Sequence, residues 1–176
     1  TIEEQAGIFH VPNVLEALQK LATYHRRNLR IPVIGITGSN GKTTTKELIS
    51  LVLGKKFKVW HTQGNLNNHI GVPLTLLSLK PGTEVAVVEM GANHIGEIGA
   101  LCEIARPDHG LITNVGAAHL EGFGSFDGVR QGKGELYNFL KRAGGEIFVN
   151  VDNQWLMEMV DDYPWIGYGT RDDAVI

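Results

Sequence analysis

The sequence predicts an α/β fold with three layers, in which helices cover both faces of a mostly parallel β-sheet. Short runs rich in valine and isoleucine alternate with segments of helical period, and no internal repeat interrupts this alternation. A chain of 176 residues with 43% hydrophobic content can bury one core. In folds of this class ligands bind beyond the carboxyl ends of the strands, so functional residues are expected directly after strands.

Six strands and six helices are predicted in chain order. The strands are expected at residues 33–37, 57–61, 85–90, 110–114, 147–150 and 165–168. The helices are expected after Asn13 through His25 and at residues 42–53, 72–79, 97–105, 126–141 and 154–160. Asn13 and Glu16 resemble a capping box that opens the first helix. The buried face of that helix is expected to consist of Val14, Leu15, Leu18, Leu21 and Ala22.

Composition excludes several classes of partner and location. A net charge of -3 and a pI near 6.1 offer no basic surface for nucleic acid or anionic lipid. The single cysteine, Cys102, cannot form an internal disulfide, and no apolar run reaches the roughly 20 residues that span a bilayer. Residues 1–9 lack the pattern of a signal peptide and no methionine precedes them. We therefore expect a cytoplasmic chain, without membrane insertion, that is part of a longer protein.

The turn after the first strand resembles a phosphate-binding loop. Residues 35–44 read GITGSNGKTT and connect an apolar strand to a helix, which is the setting that such loops require. Glycines let backbone N–H groups approach phosphates, a lysine supplies charge, and a threonine hydroxyl can ligate Mg²⁺. The nucleotide-binding candidates are Gly38, Ser39, Asn40, Gly41, Lys42, Thr43 and Thr44. Ile36 stands where the longer form of the motif has glycine, and an ordinary glycine-rich turn is the alternative.

Two residues that follow later strands are candidate metal ligands. Glu89 closes an apolar run, where P-loop enzymes place an acid that binds Mg²⁺ or orients water. A solvated strand end or a helix-cap partner is the alternative for Glu89. His119 lies in a glycine-bearing loop after the strand that ends at Asn114. A lone histidine is more often a hydrogen-bonded structural residue than a ligand.

Lys133 falls on the apolar stripe of its predicted helix. Phe126, Val129, Leu136 and Leu140 recur at helical spacing, and the same stripe contains position 133, so the pattern directs a lysine toward the core. Burial would lower the pKa of its amine, and a neutral amine can react with carbon dioxide to give a carbamate, an oxygen donor suited to Mg²⁺. The alternative is a lysine that extends its head to water along an apolar face.

Together these segments resemble the Mur ligase family in order and spacing. The matching segments are GSNGKTT at 38–44, EMGA at 89–92, NVGAAHLE at 114–121 and KGE at 133–135. GNLNNHIGVP at 64–73 and EMGANHIGEI at 89–98 are most similar to the members that join D-alanyl-D-alanine to UDP-N-acetylmuramoyl-tripeptide. The resemblance spans about residues 5–160. At 150–153 the chain reads NVDN, where Asn153 departs from a family Asn-x-Asp-Asp segment, and no chemistry is assigned there.

The resemblance implies a metal site and a substrate loop. The family lysine matching Lys133 is carbamylated, and the residues matching Thr43, Glu89 and His119 surround one or two Mg²⁺ ions. Because of this resemblance, we expect Lys133 to be a carbamylated metal ligand and not a lysine whose ammonium group reaches water. Asn65, Asn67 and Asn68 would face the substrate, although such a loop is equally a turn built from residues that bond their own backbone.

The resemblance also implies a reaction and a domain organisation. ATP would phosphorylate the tripeptide carboxylate, and the amine of D-alanyl-D-alanine would attack the acyl phosphate, with Lys42, Lys133, His119 and Glu89 as catalytic residues. Residues 1–28 are expected to be the tail of a substrate domain with a linker helix, and residues 29–176 a truncated central ATP-binding domain that is inactive alone and monomeric. The P-loop NTPase-like sheet is expected to be the core of that central domain.

Three other functions fit parts of the pattern. Another ligase of the superfamily, adding a different stem residue or acting as a folylpolyglutamate or cyanophycin synthetase, would share the loop, the glutamate, the histidine and the lysine. A non-catalytic nucleotide-binding module would bind nucleotide without acyl-phosphate chemistry. A P-loop kinase should carry an arginine-rich lid, whereas Arg106, Arg130 and Arg142 are widely spaced.

Overall fold

The described residues form a parallel sheet with helices on both faces. The computed structural model describes residues 7–116, 120–171 and 174–175. Its strands are β1 (Val33–Thr37), β2 (Val59–His61), β3 (Val85–Glu89), β4 (His109–Ile112), β5 (Glu146–Asn150) and β6 (Trp165–Tyr168). They lie in the order β2-β3-β1-β4-β5-β6, and every neighbouring pair is parallel. The predicted α/β class is therefore confirmed.

The helices follow the predicted positions closely. They are α1 (Val14–Asn28), α2 (Lys42–Leu53), α3 (Gly71–Leu77), α4 (Glu97–Ala105), α5 (Leu120–Phe123), α6 (Phe126–Ala143) and α7 (Gln154–Val160). The short helix α5 was not predicted. The second strand begins two residues later than predicted, because the backbone N–H of Phe57 still donates to Leu53 at the end of α2.

The two faces of the sheet are covered unequally. On one face α4, α6 and α7 pack on β1, β4 and β5, and α1 and α3 pack against this layer, enclosing the larger apolar core. On the other face α2 packs on β1, β2 and β3 over a small cluster of Ile36, Val87 and Leu111. Beside α2 an apolar groove of about 750 Å³ runs along the part of the sheet that contains Phe148.

The first helix uses a narrower buried face than predicted. Val14 and Leu21 were expected to be buried, but their exposed fractions are 75% and 56%. Ala22 is buried as predicted, Leu15 and Leu18 are half-buried, and Arg26, which was not predicted, is also buried and donates to Asp108 Oδ2 at 2.7 Å. Arg26 also donates to the carbonyls of Ala105 and Arg106 at the end of α4, so the side of α1 that contains Arg26 faces α4, and Val14 and Leu21 face outward. The predicted division of the chain at residue 28 stays a prediction.

The predicted N-cap of α1 is present. The Asn13 side-chain oxygen accepts the backbone N–H of Glu16 at 3.1 Å, which satisfies one of the free N–H groups at the helix start. The Glu16 carboxylate pairs with Lys20. Among the described residues, no helix is long and apolar enough to cross a membrane.

Candidate functional site

The phosphate loop joins β1 to α2 in a shape that requires glycine twice. Gly38 and Gly41 have φ values of +141° and +77°, which side chains rarely adopt. A Cβ on Gly38 would in addition overlap the Thr113 hydroxyl. The loop is therefore shaped by its own backbone and by its closeness to the end of β4.

The segment after β4 holds the phosphate loop from the side. Ser39 N–H donates to the Asn114 carbonyl at 3.0 Å, and the Ser39 hydroxyl exchanges hydrogen bonds with the backbone of Gly116. Asn40 N–H donates to the Asn114 side chain at 3.1 Å, and the Thr113 hydroxyl donates to the Asn40 carbonyl at 2.6 Å. Sequence reasoning placed Thr113 and Asn114 at the end of a strand and assigned no role to them, whereas both directly follow β4 in the structure.

Lys42 begins α2 and lies over the loop that it follows. Its Nζ donates to the carbonyls of Gly38 at 2.8 Å and Ser39 at 3.1 Å. Partial burial lowers the pKa of Lys42, and the nearby charge of Glu89 opposes that shift. Thr43 and Thr44 follow in the first turn with exposed side chains. Their hydroxyls are thus free to meet a ligand at the helix N-terminus.

Glu89 places a buried carboxylate at the end of β3. Its exposed fraction is 1%. Oε1 accepts a hydrogen bond from the Asn67 amide at 2.8 Å, whereas Oε2 has no hydrogen-bond partner and lies 4.0 Å from Lys46 Nζ. Buried carboxylate oxygens are normally hydrogen-bonded, so Glu89 Oε2 can still accept a hydrogen bond or bind a cation. A solvated strand end, one of the two alternatives for Glu89, is excluded by its burial.

Lys133 is buried in α6, as the apolar stripe predicts. Its exposed fraction is 1%, its Nζ donates to the Ala92 carbonyl at 3.0 Å, and the ammonium lies 5.1 Å from the centre of the Phe123 ring. Burial and the charge of Lys42 lower the pKa of Lys133 to about 8, against the opposing effect of Glu97 and Glu135. The side chain does not reach water, so the water-facing alternative is wrong.

The loop between β2 and α3, residues 63–70, is called the asparagine loop below. Asn67 contacts Glu89, and Asn67 and Asn68 line a cleft of about 740 Å³ that also contains Lys42. The Asn68 side chain accepts the N–H groups of Ile70 and Gly71 at the start of α3, so part of its hydrogen-bonding capacity serves the fold. Asn65 is exposed and lies outside the residues that line this cleft.

Lys42, Glu89 and Lys133 therefore meet at one edge of the sheet. Lys42 and Asn67 line one cleft, the Asn67 amide donates to Glu89, and Ala92, whose carbonyl accepts from Lys133, lines the same cleft. His119 lies outside the described residues. Within the part of the chain that the structure describes, no group of three or more His, Cys, Asp and Glu side chains is arranged to hold a metal ion.

Sequence reasoning missed three polar residues that shape this site. Lys46 is fully buried in α2 beside Glu89. Glu135 accepts the N–H groups of Gly96 at 2.5 Å and Gly99 at 2.7 Å, and so fixes the start of α4. Glu97 accepts the N–H group of Asn93 at 2.7 Å in the loop before α4. Glu135 belongs to the KGE segment at 133–135, and that segment was the available signal for its role.

Comparison with known proteins places this architecture in a family. The family model described as the Mur ligase middle domain matches residues 36–175. The UDP-N-acetylmuramoyl-tripeptide–D-alanyl-D-alanine ligase of Bacillus subtilis (strain 168) is 47% identical over 146 residues, covering 83% of this chain and 32% of the relative. The ligase of the same name from Escherichia coli (strain K12) is 45% identical over 140 residues, covering 80% and 31%.

A solved structure agrees with the sequence relatives. The crystal structure of MurF ligase from Thermotoga maritima in complex with ADP superposes with a TM-score of 0.84 at 38% identity, covering 92% of this chain and 38% of that one. The chain spans about a third of the length of the curated relatives it matches. From the matched family model, these relatives and the shared fold, the chain belongs to the Mur ligase middle domain family.

Proposed function

We propose that this chain is the ATP-handling part of an amide ligase that adds D-alanyl-D-alanine to UDP-N-acetylmuramoyl-tripeptide in peptidoglycan precursor synthesis. The observation that carries the proposal is the convergence of Lys42, Glu89 and Lys133 around one cleft beside a glycine-built phosphate loop, with Asn67 bonded to Glu89 and Ala92 bonded to Lys133. Relatives at 45% and 47% identity are named for this reaction. The ADP in the Thermotoga maritima structure supports ATP as the phosphoryl donor.

Glu89 and Thr43 fit a Mg²⁺ ion bound together with nucleotide phosphates. Glu89 Oε2 is buried and lacks a hydrogen-bond partner, and Thr43 is exposed at the helix start. Mg²⁺ prefers oxygen ligands and is commonly held by one or two protein groups plus phosphates and water, so a cluster of three acidic or histidine ligands is not required. The ion would neutralise charge on the phosphates. His119 remains a proposed additional ligand.

Lys133 fits a carbamylated lysine. Carbamylation needs a neutral amine: the nitrogen attacks carbon dioxide, an N–C bond forms, and one proton is released. The contacts of Lys133 are a carbonyl and an aromatic ring, and its pKa of about 8 leaves a neutral fraction near neutral pH. The resulting carbamate would supply an oxygen donor close to Lys42 and Glu89.

The residues of the chain would bind and orient the reacting groups, and no protein nucleophile is needed. The backbone N–H groups of the phosphate loop and Lys42 would hold the β and γ phosphates of ATP. The γ-phosphoryl group would pass to the tripeptide carboxylate to form an acyl phosphate, and the amine would displace phosphate to form the amide. Lys42 would stabilise the charge that develops on the transferred and leaving phosphate, and Asn67 would fix Glu89.

The domain organisation and the surroundings of the chain stay proposals. Residues 29–176 would be the central ATP-binding domain, and residues 1–28 the connection to a substrate-binding domain. We propose a monomer that works in the cytoplasm, where its small-molecule substrates are made.

A phosphate-release assay on the full-length protein tests the proposal. With ATP, Mg²⁺, UDP-N-acetylmuramoyl-tripeptide and D-alanyl-D-alanine together, phosphate should be released in step with formation of the pentapeptide product. Omission of either acceptor should reduce release to background. The isolated chain should bind nucleotide and release no phosphate. Turnover that does not depend on D-alanyl-D-alanine, or that occurs with another amine instead, would contradict the substrate assignment.

A further inference from the structure

Lys46 carries a buried charge that the proposed chemistry does not use. It lies one helical turn after Lys42 on α2, and its side chain is fully buried. Its Nζ donates to the Thr62 carbonyl at 2.7 Å and lies 3.0 Å from Glu47 Oε1. Removing an ammonium group from water is costly unless fixed partners compensate for it, so Lys46 depends on these partners and in turn restrains them.

Thr62 links Lys46 to Glu89. The residue directly follows β2 and is buried. Its carbonyl accepts from Lys46, its hydroxyl accepts the backbone N–H of Glu89 at 3.0 Å, and its own N–H donates to Val87 at 3.0 Å. Lys46 Nζ also lies 4.0 Å from Glu89 Oε2. Lys46 therefore reaches Glu89 in two ways, through Thr62 and directly by charge.

Thr62 directly precedes the asparagine loop and connects it to β2. This loop is attached a second time at Asn67, whose amide donates to Glu89 Oε1 at 2.8 Å and whose carbonyl accepts the Gly91 N–H at 2.7 Å. The two attachment points of the loop, Thr62 and Asn67, thus both contact Glu89. A displacement of α2 along its axis would move Lys46, and with it the start of the loop that lines the cleft.

We propose that Lys46 is a positioning residue that couples the phosphate loop to the asparagine loop, so that a nucleoside triphosphate bound at the start of α2 improves binding of the carboxylate-bearing substrate in the cleft. The identity of that substrate rests on the proposed function, whereas the contacts of Lys46 do not. Because such coupling is a free energy shared by two sites, the substrate must improve nucleotide binding by the same factor.

The coupling can be measured as a ratio of affinities. In the full-length protein, the Kd of UDP-N-acetylmuramoyl-tripeptide is determined with and without a non-hydrolysable ATP analogue and Mg²⁺. We expect the analogue to tighten binding about 5- to 100-fold in the unchanged protein. In Lys46→Met, which keeps the length and removes the charge, this factor should fall below about 2-fold, whereas the affinity for the analogue alone should change less than about 3-fold. Lys55→Met, at an exposed position in the turn that follows α2, is the control and should retain the full factor.

Hydrogen exchange gives a readout that is independent of the substrate. Binding of the analogue should slow amide exchange across residues 63–70 in the unchanged protein and in Lys55→Met, but not in Lys46→Met. If the unchanged protein fails to bind the tripeptide substrate, the proposed function fails, while the exchange experiment still decides the role of Lys46.

A second variant covers the case in which Lys46→Met does not fold. Thr62→Val keeps the volume and the carbonyl that Lys46 binds but removes the hydroxyl that accepts the Glu89 N–H. Thr62→Val should therefore lower the factor by which the ATP analogue tightens substrate binding, although Lys46 itself is unchanged. A folded Lys46→Met with an unchanged coupling factor and unchanged loop protection would overturn the inference. If only Thr62→Val can be made, the same result in that variant would overturn it.

Discussion

Lys133 and Lys46 are both buried lysines, but they lie on opposite faces of the sheet and meet different chemistry. Lys133, on α6, contacts a backbone carbonyl and an aromatic ring and is repelled by Lys42. Lys46, on α2, lies between the carboxylates of Glu47 and Glu89. Burial alone therefore does not define the role of a lysine. The partners suit Lys133 to act as a neutral amine and Lys46 to act as a fixed cation.

The largest expected effect is the loss of turnover when Lys133 is replaced by alanine. Lys133→Ala should lower turnover of the full-length protein by at least about 100-fold, because it removes a group that stabilises developing charge. A small carboxylic acid added to this variant should restore part of the activity by replacing the carbamate oxygens. Steady-state phosphate release measures both effects.

The control for this prediction lies on the same helix. Lys141→Ala removes a lysine from α6 that bonds the Met159 carbonyl outside the cleft, and it should keep near-normal turnover. If Lys133→Ala is folded and inactive but added acid restores nothing, the carbamate assignment is wrong.

The pH dependence of stability sharpens the comparison next. The folded-state pKa of Lys133, about 8, lies below the ordinary value of 10.5, so between these values the folded chain binds fewer protons than the unfolded chain and its stability rises with pH. Lys133→Met removes this dependence. Relative to the variant, the unchanged chain should gain up to about 3 kcal/mol between pH 8 and 10.5.

Urea denaturation in carbon-dioxide-free buffer, without nucleotide or Mg²⁺, measures this difference. The Lys141→Met variant should follow the unchanged chain at every pH. Parallel stability curves for Lys133→Met and the unchanged chain would show that Lys133 titrates normally, and would remove the basis for a neutral amine.

A smaller effect is expected in the asparagine loop. Asn67→Ala removes the hydrogen bond to Glu89 Oε1 and leaves both oxygens of a buried carboxylate without a hydrogen-bond partner, which should cost about 1–3 kcal/mol. Catalytic efficiency kcat/KM should fall by roughly 10-fold or more. Asn65→Ala, in the same loop but outside the cleft, should change it less than about 3-fold. Equal losses in the two variants would contradict the assignment of Glu89 to the site.

Local patterns explain which features were predictable. The strands, most helices, the phosphate loop and the burial of Lys133 follow from apolar periodicity and from a motif confined to ten residues. Lys46 was missed because α2 begins with the polar run KTTTKE, which is typical of a solvent-exposed first turn of a helix. Its burial depends on Thr62, which follows β2, and on Glu89, which ends β3.

The failures have the same origin. Val14 and Leu21 were predicted to be buried from helical spacing, but the side of α1 that packs includes Arg26, which bonds Ala105, Arg106 and Asp108, about 80 residues away. The exposure of Val14 and Leu21 thus depends on contacts between segments that are distant in the sequence. The periodicity of a single sequence does not predict such contacts.

The most direct test of the convergence of Lys42, Glu89 and Lys133 is a crystal structure of the full-length protein with ADP and Mg²⁺, grown in bicarbonate. We predict Mg²⁺ at about 2.1 Å from oxygens of Glu89 and Thr43, Lys42 on the β-phosphate, and additional carboxylate density on Lys133 Nζ. A nucleotide bound elsewhere would contradict the account. So would a structure in which Mg²⁺ does not contact Glu89 and Lys133 is unmodified.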